Sequence, residues 1–252
     1  MAVATAPIVA TEAITKEYAG FRAIDQVSLA VAPHTIHAII GPNGAGKTTM
    51  FNLLSGFTPP TSGKIFFQGE NITGVPPALV ARMGIVRSFQ INSIFPHLSV
   101  LDNVKVSLQS KTQLSQRFLA SPRATRALDE PARKILADVG MEELGGHLAA
   151  HLPYGRKRSL ELAISLAQDP PLLLLDEPTA GMGTEDIHRT IELIRRNAEG
   201  RTVVLVEHNL RVVADLCSRI TVMQRGRILV EGTYDEVRAD KRVVDAYLGG
   251  GH

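Results

Sequence analysis

Residues 41–48, GPNGAGKT, combine flexible glycines with one lysine and one threonine and match the pattern G-x-x-x-x-G-K-[ST] in full. Glycines let the backbone wrap an anion with its N–H groups inward, and the helix expected from Gly46 adds positive potential. Lys47 is suited to reach the β- and γ-phosphates of a nucleotide, and the Thr48 hydroxyl is suited to bind Mg²⁺. The alternative is a glycine-rich turn without a ligand, which this pattern before a helix disfavours. The predicted phosphate-binding residues are Gly41, Pro42, Asn43, Gly44, Ala45, Gly46, Lys47, Thr48 and Thr49.

Two carboxylates, Asp176 and Glu177, directly follow four leucines at residues 172–175. A run that is apolar at every position predicts a strand buried on both faces, and open parallel sheets bind ligands at the carboxyl ends of such strands. Asp176 is suited to hold Mg²⁺ directly or through water, and Glu177 to orient and deprotonate an attacking water. Alone, the acidic pair is equally consistent with a helix N-cap. Together with the glycine-rich loop, it predicts a site for nucleotide hydrolysis.

The elements that must position these residues alternate between strands and helices on either side of a different middle stretch. Strands are predicted at residues 11–18, 21–31, 35–40, 64–68, 85–89, 172–175, 202–206, 220–224 and 228–230. Helices are predicted after Gly46, at residues 157–168, 185–197 and 210–216, and near the C-terminus. This alternation favours a mostly parallel sheet with helices on both faces.

The middle stretch, from residue 91 to about residue 150, lacks strand-like runs. Helical spacing appears at residues 100–108 and 126–139, with Pro122 and Pro131 as interruptions. We therefore predict an α/β core with an antiparallel β part and an inserted α-helical subdomain. The predicted organisation is a flexible tail at residues 1–10 and a single domain over residues 11–252, with residues 11–90 and 169–252 as its nucleotide-binding core and residues 91–168 as its helical subdomain.

Composition excludes several classes of function. The 252 residues carry 27 Lys and Arg against 25 Asp and Glu, and this net charge of +2 gives no strong case for binding nucleic acid. The single cysteine cannot form an internal disulfide. No apolar stretch approaches the ~18–20 residues of a membrane span, and the N-terminus lacks the basic region of a signal peptide. We expect a cytoplasmic chain that reaches a membrane only through a partner.

The phosphate motifs and several further positions, taken in order, resemble the ATP-binding cassette (ABC) ATPases over nearly the whole chain. Tyr18 resembles the aromatic residue that stacks on adenine, with Phe21 as the competing choice. Gln90 resembles the glutamine at the join between the core and the helical subdomain. His208 resembles the switch histidine that contacts the γ-phosphate. The resemblance implies an ABC-type P-loop fold with ATP and Mg²⁺ as cofactors.

Residues 152–156, LPYGR, and the helix after them resemble the signature motif of the family, and residues 180–183 occupy the loop after the catalytic carboxylate. The resemblance implies catalytic roles for Glu177, His208, Lys47 and Gln90, nucleotide contacts from Tyr18, Asp176, Pro153, Tyr154, Gly155 and Arg156, and Mg²⁺ ligation by Thr48, Gln90 and Asp176.

Three positions depart from the pattern of the family. The usual signature has serine and glutamine where this chain has Pro153 and Arg156, and Gly183 replaces the usual aspartate or asparagine. The missing serine removes a hydrogen bond to the γ-phosphate bound by the opposite subunit, worth about 1.5–3 kcal/mol, so ATP-driven dimerisation should weaken. We expect the Gly155 N–H, the helix N-terminus and the Arg156 cation to compensate. The alternative is that Arg156 only caps or pairs on the surface.

Residues 41–56, 84–90, 152–163 and 246–249 resemble, more narrowly, the ATP-binding subunits of branched-chain amino acid importers. The resemblance implies a peripheral subunit at the cytoplasmic face of the inner membrane. Its implied partners are a second ATP-binding subunit, identical or related, membrane permeases and, indirectly, an extracytoplasmic solute-binding protein. Alternatives are the motor of a lipid or lipopolysaccharide exporter, a non-transport ABC ATPase acting on DNA or ribosomes, and a small-molecule P-loop kinase.

Overall fold

The computed structural model describes residues 6–88, 94–110 and 126–248, and these residues belong to two compact units. The first unit comprises Met1–Ile85, Pro171–Pro178 and Ala198–His252, and the second comprises Val86–Pro170 and Thr179–Asn197. Within the described ranges, no helix has both the length and the apolar character needed to cross a bilayer. The predicted boundaries of the core and the helical subdomain remain a prediction.

The secondary structure alternates as the sequence predicts, with strands and helices in the following bounds. The strands are β1 (Val9–Tyr18), β2 (Phe21–Val27), β3 (Ala30–Val31), β4 (Ile36–Ile40), β5 (Ser62–Phe67), β6 (Glu70–Asn71), β7 (Ile85–Ser88), β8 (Leu172–Asp176), β9 (Thr202–Val206), β10 (Arg219–Gln224) and β11 (Arg227–Gly232). The helices are α1 (Lys47–Leu54), α2 (Pro77–Met83), α3 (Val100–Ser110), α4 (Asp129–Asp138), α5 (Tyr154–Leu166), α6 (Thr184–Asn197), α7 (Leu210–Leu216), α8 (Tyr234–Ala239) and α9 (Lys241–Leu248).

A mostly parallel sheet in the first unit carries the ends of the strands that bear the candidate site. Its strands lie in the order β11-β10-β4-β9-β8, with β10, β4, β9 and β8 parallel and β11 antiparallel to β10. The four leucines of β8 and all five residues of β9 are buried. Full burial on both faces explains why these strands read as continuous apolar runs. The predicted parallel sheet is confirmed.

An antiparallel sheet, with strands in the order β2-β1-β5-β6 and β3 beside β1, forms the other β layer of the first unit. The predicted single strand at residues 21–31 is divided into β2 and β3. The Thr11 side chain explains the break, because its hydroxyl donates to the Val27 carbonyl at 3.1 Å and accepts from the Leu29 N–H at 2.9 Å. These bonds replace ladder bonds at the break between β2 and β3, both of which pair with β1.

The N-terminal residues differ from the predicted flexible tail at residues 8–10. Ile8 and Val9 are buried, and Val9 pairs with Val31 and Phe67 across β1. Apolar side chains at both positions are removed from water here, which favours an ordered start of β1.

Helix α1 joins the sheets to one hydrophobic core. Its Met50, Phe51, Leu53 and Leu54 are buried and belong to the cluster that fills the first unit. This packing holds the first turn of α1, which follows the glycine-rich loop, at the carboxyl end of β4.

The second unit is helical, as predicted, with α3, α4 and α5 packed on one another. Helix α4 begins at Asp129, so Pro131 lies in its first turn and does not interrupt it. Proline is tolerated there because the first N–H groups of a helix have no helical acceptor. The Lys105 ammonium of α3 lies 2.6 Å from the Asp129 carboxylate of α4, which joins the two helices.

Candidate functional site

The glycine-rich loop turns sharply between β4 and α1 at positions that accept only glycine. Gly41 has φ +153°, and a methyl group there would lie 2.2 Å from the Met223 carbonyl oxygen. Gly46 has φ +104°, and a methyl group there would lie 2.6 Å from the Ala23 carbonyl oxygen. Both glycines therefore let the loop pass against neighbouring backbone.

The loop leaves the N-terminus of α1 suited to an anion. The Ala45 N–H donates to the Pro42 carbonyl at 3.2 Å, and the Ala45 carbonyl accepts from the Gly226 N–H at 2.9 Å. Among the described residues, α1 has no side-chain cap and no acidic residue in its first turn. No acidic side chain of the first turn of α1 therefore neutralises the positive end of the helix dipole.

Lys47 is buried, with 7% of its surface exposed, and its ammonium is held by the loop itself. Its Nζ donates to the carbonyls of Gly41 at 2.7 Å and Pro42 at 3.0 Å. Burial lowers the pKa of Lys47, while the charges of Glu177 and Asp176 raise it. The ammonium can exchange these two carbonyl acceptors for the oxygen atoms of a phosphate, because hydrogen bonds between charged groups are stronger.

Glu177 and His208 meet at the carboxyl ends of the adjacent strands β8 and β9. His208 Nε2 lies 2.8 Å from Glu177 Oε1, and both side chains are partly exposed. Glu177 has φ +48°, and its N–H donates to the Val206 carbonyl at 2.9 Å. The structure thus brings together two of the predicted catalytic side chains, and the carboxylate remains accessible to water.

A residue that sequence reasoning missed, Glu207, positions the histidine. Its buried carboxylate accepts from the N–H groups of His208 at 2.9 Å and Asn209 at 3.1 Å. Asn209 in turn caps α7 by accepting from the Arg211 N–H at 3.1 Å. The detectable signal is a carboxylate between an apolar strand and an Asn N-cap.

Thr48 and Asp176 supply oxygen atoms near Lys47. Thr48 is exposed in the first turn of α1, and Asp176 is half-buried at the end of β8. Hydroxyl and carboxylate oxygens are the ligands that Mg²⁺ prefers, so these residues fit the metal. Gln90, the third predicted ligand, lies outside the described residues.

Tyr18 and Phe21 flank the turn of the β1–β2 hairpin, and both are exposed. Tyr18 has 44% and Phe21 67% of its surface exposed, and Lys16 Nζ lies 5.0 Å from the centre of the Tyr18 ring. Both rings are available for stacking, so the choice between them for adenine remains a prediction.

The predicted signature residues form the start of α5 in the second unit. Pro153 is the N-cap, and the Tyr154 hydroxyl donates to the Ala180 carbonyl at 3.0 Å. A methyl group at Gly155 would lie 3.1 Å from the Asp186 carboxylate. The Arg156 guanidinium donates to the Gly140 carbonyl at 3.0 Å. This is a surface contact within the chain, of the kind expected if Arg156 only caps or pairs on the surface.

A second feature missed by sequence reasoning is the approach of α9 to the glycine-rich loop. A cavity of about 660 Å³ is lined by residues 41–45, His208, Gln224, Arg225, Asp245, Ala246 and Tyr247. Burial raises the pKa of the Tyr247 phenol, and a hydrogen bond from the Gly41 backbone opposes that shift. The signal in the sequence is the C-terminal AYLG stretch at residues 246–249, which by itself indicates only a family.

The glycine-rich loop with its buried lysine, the acidic pair at the end of β8 and the histidine after β9 are the parts of a P-loop nucleotide hydrolase. Family models match residues 24–180 to the ABC transporter family and residues 227–252 to the branched-chain amino acid ATP-binding cassette transporter family. The chain therefore belongs to the ABC transporter family, and it is an ATPase.

Known proteins resemble this chain over nearly its full length. LivG of Escherichia coli K12, a high-affinity branched-chain amino acid transport ATP-binding protein, is 37% identical over 96% of this chain and 98% of its own length. LptB of the same organism, a lipopolysaccharide export system ATP-binding protein, is 36% identical over 94% of this chain and 95% of its own length. A solved ATP-binding cassette of an ABC transporter in its ADP conformation is 30% identical, with a TM-score of 0.84 over 97% of this chain and 100% of that chain. The predicted ABC fold is confirmed.

Proposed function

We propose that this chain is the ATP-hydrolysing subunit of an importer for branched-chain or related amino acids. The observation that carries the proposal is the match of residues 227–252 to the branched-chain amino acid cassette family. That segment lies outside residues 24–180, which match the general ABC transporter model. The similarity to LivG over almost the full length supports the same class of solute.

The phosphate loop binds the nucleotide by exchanging its own contacts for phosphate oxygens. Lys47 leaves the Gly41 and Pro42 carbonyls and binds the β- and γ-phosphates, while the N–H groups of the loop and of the first turn of α1 surround them. Thr48 and Asp176, with Gln90 as the third predicted ligand, would hold Mg²⁺, which would neutralise charge on the phosphates. Tyr18 stacks on adenine.

Glu177 is the general base of hydrolysis in this proposal. Its accessible carboxylate accepts a proton from the attacking water, and His208, 2.8 Å away, orients that carboxylate and contacts the γ-phosphate. The Glu207 carboxylate accepts from the backbone N–H groups of His208 and Asn209, which fixes the backbone that carries the imidazole. Pro153, Gly155 and Arg156 remain proposed contacts to the nucleotide of the opposite subunit.

The subunit works with partners in this proposal. A second cassette, identical or related, completes the ATP site. Membrane permeases and an extracytoplasmic solute-binding protein supply the solute path. The proposed location is the cytoplasmic face of the inner membrane. Support comes from the resemblance of the motifs and from LivG, a transport ATP-binding protein.

A lipopolysaccharide exporter motor is the second candidate, because LptB is similar over 94% of the chain. Uptake of radiolabelled leucine by cells that lack the gene for this chain distinguishes the importer from the exporter. We expect uptake to fall to background and to be restored by the wild-type gene but not by Glu177→Gln, which should bind ATP without hydrolysing it. Normal amino acid uptake together with lipopolysaccharide retained in the inner membrane would instead support the exporter.

A further inference from the structure

Tyr154, the first residue of α5, connects the signature segment to the loop that follows the acidic pair. Its hydroxyl donates to the Ala180 carbonyl at 3.0 Å. The ring also lies against Gly181, where an added methyl group would be 3.6 Å from the phenol oxygen. Gly181 has φ +73°, so the backbone turns directly beneath this ring.

Two charged residues of α5 hold the Tyr154 side chain in this position. Arg158, one helical turn further on, donates to the Tyr154 hydroxyl oxygen at 3.3 Å and lies 5.6 Å from the centre of its ring. Arg158 also donates to Glu161 at 2.9 Å, and 11% and 3% of these side chains are exposed. The hydrogen bonds therefore run without a break from the buried Glu161 to the loop carbonyl, and such a network restricts each of its members.

The loop held by Tyr154 begins next to the proposed general base. Ala180 is three residues beyond Glu177 in the chain, and the loop closes with the Met182 N–H donating to the Thr179 carbonyl at 3.2 Å. Glu177 has φ +48°, a backbone conformation that needs support from its surroundings. A loop fixed at Ala180 restricts the peptide that leaves Glu177.

We propose that Tyr154 is a positioning residue for ATP hydrolysis, which holds the loop of residues 179–183 through the Ala180 carbonyl. The hydroxyl binds the loop of its own chain and not the nucleotide. The residue thereby restricts the backbone after Glu177, so that the Glu177 carboxylate adopts fewer orientations in which it cannot act as the base. This assignment differs from the nucleotide contact that the resemblance implies for Tyr154. It depends on the ATPase activity and not on the solute.

Tyr154→Phe tests the assignment, because it keeps the ring on Gly181 and Arg158 and removes only the hydroxyl. We expect kcat for ATP hydrolysis by the full chain to fall about three- to tenfold, in line with the loss of one hydrogen bond. We expect KM for ATP to change by less than about twofold. Hydrogen–deuterium exchange of the peptide covering residues 178–183 should become faster. Measuring kcat over several protein concentrations separates turnover from self-association.

Tyr234→Phe is the matched control, since it removes a tyrosine hydroxyl from α8, which belongs to the other unit. It should change neither kcat nor the exchange of residues 178–183. An unchanged kcat in Tyr154→Phe would overturn the proposal. So would a higher KM with kcat unchanged, because that result would place the hydroxyl on the nucleotide. A lower kcat without faster exchange in the loop would equally contradict it.

Discussion

The first residue of the phosphate loop, Gly41, has no room for a side chain because the Met223 backbone and the Ala45 side chain lie too close. A methyl group at this position would lie 2.2 Å from the Met223 carbonyl oxygen and 3.1 Å from the Ala45 side chain. The Gly41 carbonyl also accepts from Lys47 at 2.7 Å. Displacement of this peptide therefore disturbs both the loop and its lysine.

We expect Gly41→Ala to lower the free energy of unfolding by about 2–4 kcal/mol and to remove measurable ATP binding. Urea denaturation and isothermal titration with ATP measure the two effects. Gly183→Ala is the control, because no described atom lies within 4 Å of a methyl group there; it should alter the free energy of unfolding by less than about 0.5 kcal/mol. Normal ATP affinity in Gly41→Ala would show that the loop can move away from Met223.

Several residues of the candidate site could be predicted from the sequence because their types and spacing imply chemistry by themselves. Lys47, Asp176 and Glu177 are of this kind, and the structure brings Glu177 within 2.8 Å of His208, as their places after successive strands suggest. The Ala180 carbonyl that Tyr154 contacts could not be predicted, since it lies 26 residues away and has no side-chain signal. Tertiary packing selects such partners.

Among the elements, α9 is the one whose position the sequence could not indicate. Its Asp245, Ala246 and Tyr247 line the same cavity as the phosphate loop. Local patterns predicted a short C-terminal helix but contained nothing about its neighbour. The strands of the parallel sheet were predictable because their apolar runs reflect burial directly. The two-residue strand β6 and the short helix α2 could not be predicted from the sequence, since brief elements carry little periodicity.

The contact between α9 and Gly41 gives a prediction for ATP affinity. Tyr247→Phe removes the phenol oxygen that faces the Gly41 N–H, so the start of the phosphate loop should become less fixed. We expect the dissociation constant for ATP to rise about two- to fivefold, measured by equilibrium titration of the full chain. Tyr234→Phe should leave it unchanged. A lower melting temperature with unchanged affinity would mean that α9 only packs on the core.

At the scale of the whole molecule, one buried histidine links folding to pH. His37, in the central strand β4, is 1% exposed, and its Nε2 lies 2.8 Å from the Thr221 hydroxyl oxygen. Burial lowers the pKa of His37 to about 4, an effect that Glu231 opposes and Arg219 adds to. The imidazole is therefore neutral in the folded protein at pH values where the unfolded chain, with a histidine pKa of about 6.5, already binds a proton.

The unfolded state binds more protons than the folded state between about pH 6.5 and pH 4. The contribution of neutral His37 to the free energy of unfolding should therefore be complete above pH 6.5 and be lost as the pH falls through this window. For His37 alone, we expect a loss of about 2 kcal/mol between pH 7.5 and pH 5.0, measured by urea denaturation. His37→Gln cannot take up this proton. Although the substitution lowers stability at every pH, the difference between the two pH values should shrink by about the same 2 kcal/mol. An equal pH dependence in both proteins would show that other groups, and not His37, link the fold to pH.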